Sequence, residues 1–348
     1  VATDDLNVVL VGYGLAGKVF HAPLIRATPG LRLTAVVSSR SGEIAADLPG
    51  VLAVSDLDAA LAAGDIDLVV VAAPDEAHFS LAAQAIAAGC NVVVDKPFTI
   101  TFEEAQTLVA RATAAGVLLS VFHNRRWAAD FLTLQGLIAD GTLGEIVHYE
   151  ARFDRHRPVP RDRWRETKGR GAGIWHDLGA HLIDQALTLF GQPLAVWADI
   201  DAERAPDRAP DYFHAVLRYP TLRAILHAGS RTLEPGPTLA AHGARGSYVK
   251  SGLDVQEDQA RQGMTPGAPG WGVDPVPGRL TTLAPDGAVT RENVMSRPGD
   301  YLAYYAGLRD ALNGAGANPV TPDQALDVMR VIDLGVRSSA ARRELAWW

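Results

Sequence analysis

The sequence predicts an α/β fold in two domains. Three features predict it. Short, unbroken apolar runs alternate with helical patterns in the first third of the chain. A Gly-x-Gly-x-x-Gly element follows directly on the first of those runs, and strand-rich, alternating sequence takes over beyond residue 122. Apolar strands joined by helices form a parallel sheet that is covered on both faces. Residues 1–122 are therefore expected to be a Rossmann domain, and residues 123–348 an α+β domain with a large, mostly antiparallel open sheet. A chain of 348 residues is long for one core and suits that division.

The first strand is the β-branched run Leu6–Val11, and Gly12-Tyr13-Gly14-Leu15-Ala16-Gly17 follows it. In a strand–turn–helix setting the first glycine allows the tight turn and the second lets backbone approach a pyrophosphate. The third lets helix and strand pack closely, and the free N–H groups of the helix start face the phosphates. Pro23, in Phe20-His21-Ala22-Pro23, is expected to kink that helix or start a new turn. Leu31–Val37 is the second strand, and it ends in Ser38-Ser39-Arg40 with no acid before Glu43. An NAD site places Asp or Glu there for the ribose 2′-OH. Two hydroxyls and a guanidinium suit a 2′-phosphate instead, so NADP is expected over NAD.

Strands at 67–73, 91–94 and 117–122 and helices at 76–88 and 101–115 complete this domain. Thr101 and Glu104 have the spacing of a capping box, and Gly116 ends that helix. Two strand ends carry polar residues. Pro74-Asp75-Glu76-Ala77-His78 follows one; His78 either contacts the cofactor or caps the next helix. Asp95-Lys96-Pro97 follows another, where a lysine beside the cofactor cleft can hydrogen-bond a substrate oxygen and favour its deprotonation.

The most informative stretch of the second domain is 171–184, G-A-G-I-W-H-D-L-G-A-H-L-I-D. Its glycines read as a turn, and a helical pattern begins at His176. Asp177, His181 and Asp184 then stand at i, i+4 and i+7, on one face near the helix start. A carboxylate one turn from an imidazole can hold its tautomer and raise its basicity, which suits taking a proton from a hydroxyl. The same three residues could instead bind Zn²⁺, although a dinucleotide domain needs no metal and none is expected.

Around this stretch lie a helix at 131–139, a strand at 145–154 and further strands at 194–200, 212–219, 224–229 and 247–250. Helices covering one face of such a sheet would leave the other to be buried by a second copy, so a homodimer or homotetramer through the sheet is expected. Arg155, Arg157, Arg161, Arg163, Arg165 and Lys168 make 155–168 basic, as a phosphate or anion site or as a solvated loop. The segment 263–278 lacks periodicity and reads as a long loop anchored by Trp271, serving as a lid or an interface. Helices at 301–312 and 322–342 close the chain, the second with Thr321, Pro322 and Gln324 as its start signal.

Composition removes several classes. The formal net charge of −8 disfavours nucleic acid, and no apolar run is long enough to span a bilayer. The start V-A-T-D-D-L lacks a secretory pattern, and the single cysteine, Cys90, admits no internal disulfide. The expected compartment is the cytoplasm.

Together the G-Y-G-L-A-G, A-A-P-D-E-A-H, D-K-P and G-A-G-I-W-H-D-L-G-A-H-L-I-D motifs resemble the Gfo/Idh/MocA oxidoreductase family across essentially the whole chain. Asp95 stands where that family has Glu in E-K-P. The F-H-A-P-L-I, V-F-H-N-R-R-W and D-R-W-R stretches look closest to a branch that includes NADP-dependent scyllo-inositol dehydrogenases. The resemblance implies that Lys96 is the catalytic lysine and that Asp177 and His181 are the acid and imidazole of the site. It implies that Asp184 contacts polyol hydroxyls, that Arg125 lines the cleft and that Trp164 and Arg165 lie near the nicotinamide. Pro74, His78 and Asn124 are counted with the cofactor-binding residues. The expected activity is hydride transfer between NADP and a secondary alcohol of a cyclic polyol or sugar, the small-molecule partner. The competing reading is a sensor that binds NADP and a sugar without turnover.

Overall fold

The computed structural model describes residues 5–162 and 164–348, apart from the side chain of Trp164. The chain forms two compact units. One holds the residues up to Asn124 with Gln256–Trp271 and Asp300–Leu326; the other holds Arg125–Val255, Gly272–Gly299 and Asp327–Trp348. The sequence suggests a single cut after residue 122, but the chain returns twice to the first unit. The reason is packing: Tyr304 and Tyr305 are fully buried against Phe122, at ring distances of 5.0 and 5.8 Å.

The first unit is built on a six-stranded parallel sheet of β1 (Leu6–Val11), β2 (Leu31–Val37), β3 (Leu52–Val54), β4 (Leu68–Val71), β5 (Asn91–Val94) and β6 (Leu119–Val121). Their spatial order is β3-β2-β1-β4-β5-β6. The order reverses between β1 and β4, the point where a crevice opens at the carboxyl ends of a doubly wound sheet. Helices α1 (Ala22–Ala27), α2 (Ser41–Asp47), α3 (Leu57–Ala62), α4 (Asp75–Ala87) and α5 (Phe102–Ala115) connect the strands. β4 and residues 92–94 of β5 are fully buried, which is why they read as unbroken apolar runs. The short β3, exposed at Leu52, and its flanking helices gave no such signal.

A π-helical turn, Ala16–His21, precedes α1, and Pro23 stands in the first turn of that helix. Proline has no N–H for an i→i−4 bond, so a new helical segment starts there at little cost. At α5 both halves of the capping box form: Glu104 N donates to Thr101 Oγ1 at 3.2 Å, and Thr101 N donates to Glu104 Oε2 at 3.3 Å.

The second unit carries α6 (Ala129–Ala139), β7 (Ile146–Arg152), α7 (Ala180–Phe190), β8 (Ala195–Asp201), β9 (Tyr212–Arg218), β10 (Arg223–Gly229), β11 (Leu239–Gly243) and β12 (Gly246–Lys250). After α8 (Gln256–Arg261), which belongs to the first unit, come β13 (Gly278–Leu283) and β14 (Val289–Val294). The chain closes with α9 (Leu302–Leu312), α10 (Pro322–Ala341) and β15 (Leu345–Ala346). Nine strands form one open sheet in the order β14-β13-β12-β11-β7-β10-β9-β8-β15. Every pairing is antiparallel except β7 with β10.

Helices cover one face. Phe190 of α7 packs on Tyr149, and Trp175 packs on Phe213 while its Nε1 donates to the Ile332 carbonyl of α10 at 3.0 Å. On the other face Trp197, Val216 and Ile225 stand side by side in register, half-buried. The β13–β14 hairpin escaped the sequence reading because its mostly exposed, mixed residues carry no apolar alternation. Segment 263–278 is irregular up to β13, and Trp271 is buried within it. No helix among the described residues is long and apolar enough to cross a membrane.

Candidate active site

The glycine-rich turn leaves β1 at Gly12, whose φ is +103°. A Cβ at Gly12 would overlap the Ala72 carbonyl, and one at Gly17 would overlap the carbonyl of Gly12. The chain's own packing demands both glycines. Gly14 is different: a Cβ there would meet nothing within 4 Å. Space held open beside a strand–helix turn is what the pyrophosphate of a dinucleotide requires, so the residues present fit that group. Leu15 is exposed beside it, and Ala16 starts the π turn.

Tyr13 was expected among the cofactor-binding residues. Its side chain is buried and donates to Asp47 Oδ2 at 3.1 Å; burial and that carboxylate push its hydroxyl up to about 12. At the end of β2, Ser38 Oγ accepts from Arg40 N at 3.2 Å. The Arg40 guanidinium is exposed, 3.5 Å from Glu43.

Pro74 precedes α4 directly. His78 is given a task that neither sequence alternative named. Its Nδ1 lies 2.9 Å from the Pro97 carbonyl and its Nε2 3.0 Å from the Ala73 carbonyl, so the ring ties together the loops after β4 and β5. In the second of these loops Lys96 N donates to Asp95 Oδ1 at 2.8 Å, and the Lys96–Pro97 peptide bond is cis. Asn124 is buried in the short 3₁₀ turn Asn124–Trp127.

In the second unit the 171–184 stretch is not one α-helix. Trp175–Gly179 is a π-helical turn, and α7 starts only at Ala180. The wider turn alters the i, i+4 relation on which the sequence reading of Asp177 and His181 was based. Asp177 Oδ1 lies 3.4 Å from Arg165 Nη1. Asp184, expected to meet polyol hydroxyls, is 1% exposed and is clasped by Arg126, which donates through Nε at 3.0 Å and Nη2 at 2.6 Å. A buried carboxylate with a fork-like guanidinium partner is neutralised in place. Among the described residues no group of three His, Cys, Asp or Glu side chains is placed to hold a metal ion.

His181 is 7% exposed and meets Phe153 edge-on, with ring centroids 6.3 Å apart. The Arg125 guanidinium lies over the same Phe153 ring at 5.1 Å. Arg125, Phe153 and His181 thus form one cluster, although Phe153 had no signal of its own beyond strand alternation. The neighbouring His176 is held down to about 4 by burial, which leaves it neutral at pH 7. The basic stretch is partly pinned: Glu166 accepts from Arg161 N at 2.9 Å and from Arg204 Nη2 at 3.0 Å. Arg163 and the side chain of Trp164 lie outside the described residues.

Comparison with known proteins agrees with this architecture. Residues 6–123 match the family model "Oxidoreductase family, NAD-binding Rossmann fold", and residues 135–346 match "Oxidoreductase family, C-terminal alpha/beta domain". The chain is 48% identical to the uncharacterized oxidoreductase YdgJ of Escherichia coli (strain K12), over 99% of both chains. It is 40% identical to the scyllo-inositol 2-dehydrogenase (NADP(+)) IolW of Bacillus subtilis (strain 168), over 98% of this chain and 96% of the relative. Among solved structures it resembles the oxidoreductase YvaA of Bacillus subtilis with a TM-score of 0.95 and 39% identity, over 99% and 98% of the two chains. With both of its domains matched in this way, the chain belongs to the Gfo/Idh/MocA family of NAD(P)-binding oxidoreductases.

Proposed function

We propose that this protein is an NADP-dependent dehydrogenase acting on a secondary alcohol of a cyclic polyol or sugar, with scyllo-inositol as the representative substrate. The observation that carries the reading is the whole-length likeness to IolW. The second strand's end supports the cofactor choice, since Arg40 is exposed there beside Ser38 and Ser39 and no acid precedes Glu43. Gly12, Gly14, Leu15, Ala16, Gly17, Ser38, Ser39 and Arg40 would hold NADP, which when bound supplies the acceptor for the carbinol hydrogen.

The chain's own groups manage the proton and the charge. His181 takes the hydroxyl proton, and the edge of Phe153 shields it from water. Lys96 donates a hydrogen bond to the substrate oxygen and favours its alkoxide character. Asp177 supplies negative charge that favours the protonated imidazole. Arg125, spread over Phe153, faces the substrate's other hydroxyls. Asp184 has a positioning role, holding α7 to Arg126. We also propose that a second copy of the chain covers the Trp197–Val216–Ile225 face of the large sheet.

A panel of inositols and sugars with NADP⁺ or NAD⁺, followed by the absorbance of the reduced nicotinamide, tests the activity. Turnover is expected with scyllo-inositol and NADP⁺, and a clear NAD⁺ preference would refute the cofactor assignment. His181→Ala should lose about 10²- to 10⁴-fold in kcat while still binding NADPH in calorimetry. Nucleotide binding without turnover of any polyol or sugar would favour the sensor.

A further inference from the structure

The F-H-A-P stretch has no role in the scheme above, yet it places a fully buried histidine behind the D-K-P loop. His21 is the last residue of the π turn that follows the glycine-rich element. Its ring lies on Phe122, with centroids 4.4 Å apart, and its Nδ1 is 2.6 Å from the Tyr305 hydroxyl of α9. Its Nε2 has no hydrogen-bond partner among the described residues and faces Asp95 Oδ1 at 3.8 Å. That same carboxylate oxygen accepts the backbone N–H of Lys96. A line of contacts therefore runs from Tyr305 through His21 and Asp95 to the lysine's own main chain.

We infer that His21 is a positioning residue for Lys96: it fixes the Asp95 carboxylate on which the lysine's backbone is hung. This rests on the proposed catalytic role of Lys96. Asp95 is buried, and burial alone would favour its neutral form. The groups facing it reverse that effect. His21 comes from the turn before α1, Lys96 from its own loop and His78 from α4, and together they hold the carboxyl down at about 2. An ionised, immobile acceptor fixes the peptide plane at Lys96, and a reacting group displaced by about 1 Å costs on the order of 10²-fold in rate.

The test compares His21→Asn, Tyr305→Phe and Lys96→Met in the full chain, with scyllo-inositol and NADP⁺ as probes. H21N is expected to lower kcat about 10- to 100-fold while KM for NADP⁺ stays within about twofold. H21N combined with K96M should be no slower than K96M alone. Independently of any substrate, ¹³C-carboxyl NMR should show the Asp95 midpoint rising from about 2 in H21N. Y305F keeps the ring and removes only the hydroxyl, so it carries the same titration if H21N folds poorly, with a smaller upward shift expected. An unmoved Asp95 midpoint in both variants overturns the inference. So does an inactive K96M beside a fully active H21N, which would leave the lysine's role intact. Full turnover in K96M would remove that role and this inference with it.

Discussion

Gly12 and Gly14 show how one motif serves two masters. A side chain at Gly12 collides with the backbone at Ala72, so this glycine is required for folding. A methyl group at Gly14 would meet nothing within 4 Å, so the fold itself does not oppose it. Gly14→Ala should therefore keep the wild-type melting temperature and lose NADPH affinity in calorimetry, whereas Gly12→Ala should melt markedly earlier. Equal NADPH binding by G14A would mean that the space over this turn is not where the pyrophosphate sits. Both glycines were legible in the sequence. The direction of Tyr13 was not: its hydroxyl turns to Asp47, a partner 34 positions away that no local pattern announces. The same holds for Asp184, whose partner Arg126 stands 58 positions away in the V-F-H-N-R-R-W stretch, where nothing local links the two.

At the scale of elements, α7 depends on that ion pair. Removing one partner of a buried pair leaves an uncompensated charge, which costs roughly 3–5 kcal/mol. Arg126→Met should lower stability by about that amount in urea unfolding, and Arg126→Met with Asp184→Leu should recover most of it. A single mutant of wild-type stability would show the pair to be dispensable. The start of α6 carries the opposite problem. Asp130 is buried, with Asp254 nearby, and its carboxyl is pushed up to about 6. A folded-state value above the unfolded one means that the folded state binds the proton more tightly. Stability is then highest below the ordinary carboxylate range, falls as pH rises towards 6 and stays reduced above it. Asp130→Asn should gain on the order of 3 kcal/mol at pH 7.5 and almost nothing at pH 3.5. A gain of the same size at both values would rule out this titration as the cause. The capping boxes at Thr101 and Thr321 needed no structure to be seen, because they are local.

For the whole molecule, the exposed question is the outer face of the nine-stranded sheet. Trp197, Val216 and Ile225 form an apolar rib across three strands. Val216→Glu would place a charge at its centre. Sedimentation velocity should show the wild type as a dimer or tetramer and V216E as a smaller species with unchanged circular dichroism. A wild type that is monomeric at micromolar concentration would end the proposal of a self-association face.

By itself the sequence determined the class of each half of the chain and the position of the glycine turn. It also determined five of the six parallel strands, all but the short β3, and the D-K-P and G-A-G-I-W-H-D-L-G-A-H-L-I-D motifs. These depend on neighbours within a few residues or on whether a run is buried on one face or two, and such information is written locally. Tertiary structure decided what each polar side chain meets. His78 bridges two loops, Asp184 answers Arg126, His21 backs Asp95, and α9 returns to the first unit. Apart from the Ala73 carbonyl, five positions before His78, those partners lie 19 or more positions apart. They are selected by the cost of leaving a buried charge or polar atom unmatched, and that cost exists only once the chain has packed.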